Sequence, residues 1–149
     1  MAMMLDDPAA TEALGARLAP LIRVGDVVAL SGTLGAGKTT LARGLLRGLG
    51  LSGEVASPTF PIVLAYEQPD VRLPLWHVDL YRIEKPSEVE QLGLDDALCD
   101  GALLIEWPER LGPALWPHSL RLDLAIAATG ARVLTAIVPA AWESRWPLR

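Results

Sequence analysis

The chain has 149 residues, of which 51% are hydrophobic, and this length and composition predict one packed domain over residues 1–149 rather than a disordered chain. Its formal net charge is −5. The excess of acidic residues argues against a broad basic surface that would bind nucleic acid as the main activity. The single cysteine, Cys99, excludes an internal disulfide and a cysteine-based zinc site, and no apolar stretch reaches the ~20 residues of a membrane helix.

The first predicted elements are a helix, a buried strand and a second helix. Asp7 is a candidate N-cap before Pro8, and apolar residues follow at helical spacing. The run GDVVALS, residues 25–31, is typical of a central strand in an α/β sheet. A second helix is expected from Gly37 to Leu49, with one apolar stripe.

Five further strands are predicted from apolar or alternating runs. They are IVLAYEQ (62–68), PLWHVDLY (74–81), ALLIEW (102–107), SLRLDLAIA (119–127) and ARVLTAIVP (131–139). The segment PDVRL is typical of a hairpin turn between the first two runs, and the dipeptide TG of one between the last two. The pattern predicts an α/β domain with some antiparallel strand pairs.

The remaining segments are predicted to be a loop, a helix and an unassigned tail. Two prolines and several small residues indicate a loop over residues 52–61. The run PSEVEQLGLDDAL, residues 86–98, is predicted to be helical because Ser87 and Glu90 have the spacing of a capping box. The tail WESRWPLR predicts no structure.

A glycine-rich loop follows the first strand. Residues 32–39, here called the P-loop, fit the pattern G-x-x-x-x-G-K-[ST], between a predicted strand and a predicted helix. Glycines allow backbone N–H groups to approach an anion, and the helix N-terminus adds partial positive charge. Lys38 would reach the β- and γ-phosphates, and the Thr39 hydroxyl can ligate Mg²⁺. Lys38 is expected to be solvated. The pattern indicates a nucleoside triphosphate site.

The nucleotide is predicted to be ATP. Guanine-specific switch proteins use an N-K-x-D motif, and this chain contains no asparagine. Hydrolysis with Mg²⁺ requires an acidic residue at the end of a neighbouring strand. Asp79 and Glu106 each end an apolar run and are the candidates. Either one alone has the alternative interpretation of a strand-end carboxylate facing water.

Four other residues carry weaker functional signals. Thr59 lies on the loop where P-loop proteins place a hydroxyl that senses the γ-phosphate, although SPTF also fits an ordinary turn. His77 is interpreted first as a satisfied strand histidine. Arg82 could meet a phosphate or pair with Glu84. Trp107 could cover the nucleotide, meet a partner or pack in the core.

Taken together, the motifs GTLGAGKTT, SPTF, HVDLYR and IEWPE resemble those of the TsaE (YjeE) family, over nearly the whole chain. The members are small bacterial ATPases of tRNA threonylcarbamoyladenosine synthesis. The resemblance implies a P-loop NTPase-like three-layer α/β fold with a mixed parallel and antiparallel sheet. It also implies ATP hydrolysis coupled to the TsaB–TsaD pair, whose TsaD member modifies adenosine 37 of tRNA.

The resemblance also implies roles for individual residues. The phosphates would be bound by Gly35, Ala36, Gly37, Lys38, Thr39 and Thr40. Thr39 and Glu106 would hold Mg²⁺, and Asp79 would position water or act as a base. Thr59 would belong to a switch-like loop, and Trp107 to the nucleotide or partner face. Ala131 stands where some relatives have arginine, so the nucleotide role of the last hairpin, including Arg132, is left open.

The leading hypothesis is a cytoplasmic ATPase, weak alone and stimulated by TsaB–TsaD, with ATP and Mg²⁺ as cofactors. The net charge of −5 suggests that tRNA is contacted mainly through the partners. One alternative is a small-molecule kinase with the same P-loop. Another is a non-catalytic ATP-dependent binding module in which Asp79 and Glu106 are structural. The oligomeric state is left open.

Overall fold

The computed structural model describes residues 2–33, 35–55 and 63–146. The strands in this part of the chain are β1 (Ala2–Leu5), β2 (Val27–Gly32), β3 (Val63–Tyr66), β4 (Leu75–Asp79), β5 (Ala102–Glu106), β6 (Leu120–Ile126) and β7 (Arg132–Ile137). The α-helices are α1 (Pro8–Leu18), α2 (Lys38–Gly48), α3 (Pro86–Glu90) and α4 (Leu94–Ala97). Short 3₁₀ helices cover Ala19–Leu21, Pro108–Ala114 and Ala140–Trp142.

The strands form one mixed sheet in the order β1-β7-β6-β2-β5-β4-β3. The central strands β6, β2, β5 and β4 run parallel to one another, whereas β1 and β7, β7 and β6, and β4 and β3 pair antiparallel. The predicted α/β fold with a mixed sheet and two hairpins is therefore confirmed. Because β2, β4 and β5 run in the same direction, their carboxyl ends meet at one edge of the sheet.

Helices cover both faces of the sheet, as the apolar run of β2 predicts. Val28 and Leu30 belong to the core cluster that contains the buried residues of α1 and α2. Val27 and Ala29 belong to a second cluster that contains residues of α3 and α4. The alternating side chains of β2 thus fill two separate cores, and this strand has no solvent-facing side before Ser31.

Helix α2 is held against α1 by backbone contact. A Cβ atom on Gly44 would lie 1.9 Å from the Glu12 carbonyl oxygen, and one on Gly15 would lie 2.2 Å from that of Leu41. Any other residue at either position would push the two helices apart. This close packing fixes the helix that the P-loop leads into.

Two expectations outside the sheet are corrected. The single helix predicted over residues 86–98 is two short helices, because Gly93 takes a left-handed conformation with φ of 73° between them. The predicted capping box at Ser87 is wrong as well. The N-cap is Lys85 without a side-chain cap bond, since Pro86 suits the first helical position.

The described part of the tail, residues 142–146, contributes to the core, although the sequence predicts no structure for it. Trp142 is fully buried, and Arg145 forms an ion pair of 2.6 Å with Asp26, next to the start of β2. The Arg145 guanidinium also lies 3.8 Å from the centre of the Trp142 ring. Within the described ranges, no helix is long and apolar enough to cross a membrane.

Candidate functional site

The P-loop turns sharply between β2 and α2. Gly37 is the N-cap of α2 and has φ of 106°, and Gly35 has φ of 81°. Both values lie in the left-handed region that side-chain-bearing residues rarely adopt. Apart from its chain neighbours, no described residue has an atom within 4 Å of the Gly35 Cβ position. The turn leaves the first N–H groups of α2 without intrahelical acceptors, so they are available to an anion.

The ammonium group of Lys38 is buried at the start of α2. The residue is only 6% exposed, so the expectation that it is solvated is wrong. Among the described residues, Nζ has no hydrogen-bond partner. It lies 4.4 Å from the centre of the Trp107 ring, a cation–π contact. A buried cation without an acceptor indicates a site for an anionic ligand.

Two acidic residues lie side by side at the ends of β4 and β5. The strand register places Asp79 directly beside Glu106, and the two residues are 7% and 5% exposed. Oδ1 of Asp79 accepts a hydrogen bond of 2.9 Å from the backbone N–H of Tyr81. Oε2 of Glu106 lies 2.8 Å from Nε2 of the fully buried His77. The two acids are adjacent, but different groups hold them.

The acids and the P-loop line one cavity of about 330 Å³, here called the acidic cavity. Its lining includes Lys38 and Thr39 from the P-loop and Asp79 and Glu106 from the strand ends. Trp107 also lines it. It has the left-handed angles φ 59° and ψ 49°, and its ring centre lies 4.9 Å from that of Tyr81.

A second cavity of about 300 Å³ lies across the P-loop, here called the N-terminal cavity. Its walls are the β1–α1 turn, Thr11 and the last hairpin, including Arg132. Gly35, Gly37 and Thr40 line both cavities, so the P-loop is their common wall. A ligand bound at the P-loop can therefore extend into either space.

Two polar side chains line the N-terminal cavity, one with an unpartnered hydroxyl and one bonded to the P-loop. Thr11 is 1% exposed, and its hydroxyl has no hydrogen-bond partner within the described ranges. Arg132 donates hydrogen bonds to the carbonyl oxygens of Ala36, at 3.1 Å, and Gly35, at 3.0 Å. Arg132 of the last hairpin thus stabilises the P-loop backbone. Its observed contacts are with the loop that would bind the nucleotide, which is the role the sequence left open.

The family model of the threonylcarbamoyl adenosine biosynthesis protein TsaE matches residues 5–134. The chain belongs to the TsaE family. The match spans the P-loop, both strand-end acids and the start of the last strand, so it includes the walls of both cavities.

Individual members of the TsaE family are similar over most of their length. A Streptomyces coelicolor protein named tRNA threonylcarbamoyladenosine biosynthesis protein TsaE is 46% identical over 136 residues, which cover 89% of this chain and 91% of that protein. The Bacillus subtilis protein of the same name is 39% identical over 130 residues, covering 87% of this chain and 80% of that protein. The crystal structure of Bacillus subtilis YdiB has a TM-score of 0.81 at 30% identity, covering 97% of this chain and 89% of that chain. The TsaE-family fold therefore extends over nearly the whole chain.

Most site residues predicted for a TsaE-family protein lie together. Those that line the acidic cavity are Gly35, Gly37, Lys38, Thr39, Thr40, Asp79, Glu106 and Trp107. Ala36, between Gly35 and Gly37, is buried. Thr59 lies outside the described residues.

Sequence reasoning missed the N-terminal cavity. Asp7 had been interpreted only as the N-cap of α1, and that cap is present, with Oδ1 accepting a bond of 2.8 Å from the Ala10 N–H. Nothing local in the sequence indicates that the same turn lies beside the P-loop. His77 was interpreted as a satisfied strand histidine, and its contact is Glu106, a predicted site residue.

Proposed function

We propose that this protein binds Mg-ATP at the P-loop and hydrolyses it, and that hydrolysis supports a TsaB–TsaD pair in the threonylcarbamoylation of tRNA adenosine 37. Membership of the TsaE family places the chain in threonylcarbamoyladenosine biosynthesis. The observation that carries the finer proposal is the buried Lys38 ammonium, which has no hydrogen-bond acceptor in the described part of the chain and lines the acidic cavity. Phosphate oxygens would supply the missing acceptors.

The two cavities suggest how the nucleotide would lie. Its phosphates would occupy the P-loop, where the N–H groups of α2 and Lys38 are available. The nucleoside would extend into the N-terminal cavity, where the unpartnered Thr11 hydroxyl offers a hydrogen bond to ribose or base. The opposite orientation would bring the uncharged nucleoside, not the phosphates, next to the two carboxylates.

The acids require a cation if phosphates are to bind beside them. Asp79 and Glu106 carry like charge with the phosphates, and this repulsion is strong where water is excluded. Mg²⁺ commonly binds one or two protein oxygens together with phosphate oxygens and water, and Thr39 and Glu106 offer a hydroxyl and a carboxylate at the cavity wall. When bound, Mg²⁺ would neutralise charge on the phosphate oxygens.

The remaining residues of the acidic cavity would act directly on the reaction. Lys38 would exchange the Trp107 ring for phosphate oxygens and stabilise the charge on them. The Tyr81 N–H fixes one oxygen of Asp79, and the carboxylate would then orient the attacking water or accept its proton. Arg82 is the single arginine among the described residues that line the cavity, so they include no arginine cluster to bind a second substrate as phosphate acceptor, which favours water as the acceptor.

The partner requirement is proposed from family membership and from the charge of the chain. At −5 the protein is poorly suited to hold tRNA itself, so tRNA contact would be made mainly by TsaB–TsaD in the cytoplasm. The aromatic rim of the acidic cavity is open, since Tyr81 is 45% exposed. A partner that covers this rim would exclude water and raise turnover.

The test is to measure release of phosphate from γ-labelled ATP by the purified protein, with and without TsaB–TsaD. We expect slow hydrolysis alone, stimulation by the pair and a stable complex with it. Lys38→Ala should lose nucleotide binding. Absence of Mg-ATP binding, or of both stimulation and complex formation, would refute the proposal. Transfer of the label to a metabolite would instead support the kinase alternative.

A further inference from the structure

A buried histidine lies directly behind one of the two acids. His77 is on β4, two residues before Asp79, and its side chain has no exposure to solvent. Its Nε2 atom lies 2.8 Å from Oε2 of Glu106, whose side chain is 6% exposed. The contact joins two strands that are neighbours in the sheet, and Glu106 lines the acidic cavity.

The chemistry of the pair defines the direction of the hydrogen bond. An ionised carboxylate can only accept, so Nε2 of His77 carries the proton and donates to Glu106. Among the described residues Nδ1 of His77 has no partner, so the contact with Glu106 is the one that holds the ring. The imidazole N–H in turn holds one carboxylate oxygen of Glu106.

We propose that His77 is a positioning residue that orients the Glu106 carboxylate for Mg²⁺. The donor on Oε2 restricts rotation of the carboxylate, so that Oε1 would be available to the cation. Hydrogen-bonding partners of this kind orient metal ligands, and their loss typically weakens metal binding by about 10- to 100-fold. This inference rests on the proposed function, because it requires that Glu106 ligates the cation.

The effect of His77 should be confined to Glu106. Asp79, the other acid, has its Oδ1 held by the Tyr81 N–H, a backbone donor that does not depend on His77. The P-loop that would bind the phosphates is a different segment, the turn between β2 and α2, and the hydrogen bond of His77 to Glu106 does not involve it. Loss of the histidine should therefore lower the affinity for the cation. It should leave unchanged the affinity for a nucleotide that binds without a cation.

The experiment measures two affinities for each variant. Mn²⁺ replaces Mg²⁺ so that its binding to the ADP-loaded protein can be followed by electron paramagnetic resonance, and ADP binding is measured by calorimetry with EDTA present. His77→Leu removes the donor, and His77→Gln places an amide N–H near the position of Nε2. His118→Leu is the matched control, because His118 makes a similar 2.8 Å contact, to the Gly25 carbonyl at the other end of the sheet.

We expect His77→Leu to bind Mn²⁺ about 10- to 100-fold more weakly, with ADP affinity in EDTA within about twofold of the parent chain. His77→Gln should recover most of the loss, and His118→Leu should show none. If His77→Leu does not fold, His77→Asn, whose amide is too short to reach Glu106, takes its place beside His77→Gln.

Two results would overturn the inference. Mn²⁺ affinity that is equal in the parent and in His77→Leu or His77→Asn would mean that the pair is only structural, while leaving the proposed function intact. Equal losses of Mn²⁺ and metal-free ADP binding, without recovery in His77→Gln, would mean a general distortion of the site. A parent chain that binds neither ADP nor Mn-ADP would instead refute the proposed function, and the inference with it.

Discussion

Replacing Lys38 by methionine should stabilise the nucleotide-free protein while abolishing its response to ATP. The Lys38 side chain is buried, and its Nζ atom has no hydrogen-bond acceptor among the described residues. Methionine has a similar length and fills the same space with an apolar group. The substitution therefore removes the unpartnered charge and keeps most of the packing.

The expected gain is the difference between two opposing contributions. A buried polar group without a partner costs about 1–3 kcal/mol, and more if it is charged. The cation–π contact with Trp107, at 4.4 Å from the ring centre, offsets part of this, since such contacts contribute roughly 0.5–2 kcal/mol. A net gain of about 1 kcal/mol should raise the melting temperature by roughly 2–4 °C for a domain of this size.

The assay is thermal unfolding with and without saturating Mg-ATP. At a ligand concentration of about 100 times Kd, the parent chain should gain about 2.7 kcal/mol, and Lys38→Met should gain nothing. Lys85→Met is the matched control, because Lys85 is the only other lysine of the chain and is exposed. Its melting temperature should change little, and its response to Mg-ATP should be that of the parent.

The reasoning fails if Lys38→Met melts below the parent chain in the absence of nucleotide. That result would mean that the ammonium stabilises the empty protein, so its burial would not indicate a missing anion. A melting temperature that rises with Mg-ATP in Lys38→Met would refute the role of Lys38 in phosphate binding.

Three further predictions concern the acids, the tail and the helix pair. Glu106→Gln should weaken Mg-dependent nucleotide binding in calorimetry, whereas Asp79→Asn should keep binding but lose about 10²-fold or more in partner-stimulated turnover. Arg145→Met should lower the free energy of unfolding by about 3–5 kcal/mol in urea titrations, because it leaves the Asp26 carboxylate buried and unpaired. Gly44→Ala should lower the melting temperature, since its Cβ would lie 1.9 Å from a carbonyl oxygen of α1. Unchanged Mg-dependent binding in Glu106→Gln, unchanged turnover in Asp79→Asn, or unchanged stability in Arg145→Met or Gly44→Ala would contradict the role given to the residue concerned.

The P-loop and the acids were readable from sequence because each is a local pattern. A run of buried residues followed by two spaced glycines and Lys38 specifies strand, turn and helix within about twenty residues. Asp79 and Glu106 each follow an apolar run, and parallel strands end at the same edge of a sheet. The sequence therefore placed both acids near the P-loop without knowledge of the strand order.

Contacts between distant segments could not be read in the same way. The bond from His77 to Glu106 depends on which strand lies beside β4 and in what register, and 29 residues separate the two side chains. Arg145 and Asp26 are 119 residues apart, so nothing in the tail indicates the partner. The N-terminal cavity likewise depends on the packing of α1 against α2. The glycines that allow this packing do not predict it, because glycines at such a spacing also occur in turns and loops.

Trp107 directly follows Glu106 in the chain, and its backbone conformation places its ring over Lys38. A non-glycine residue in the left-handed region costs roughly 1–2 kcal/mol, and glycine would avoid this cost. The turn directs the ring toward Lys38 and Tyr81, with contacts at 4.4 Å and 4.9 Å. Such cation–π and aromatic pairs contribute about 1–3 kcal/mol together, enough to offset the strain. The left-handed conformation of Trp107, directly after Glu106, is thus stable while Lys38 lies under the ring. A phosphate that binds the Lys38 ammonium would weaken this cation–π contact, and with it the interaction that stabilises the conformation.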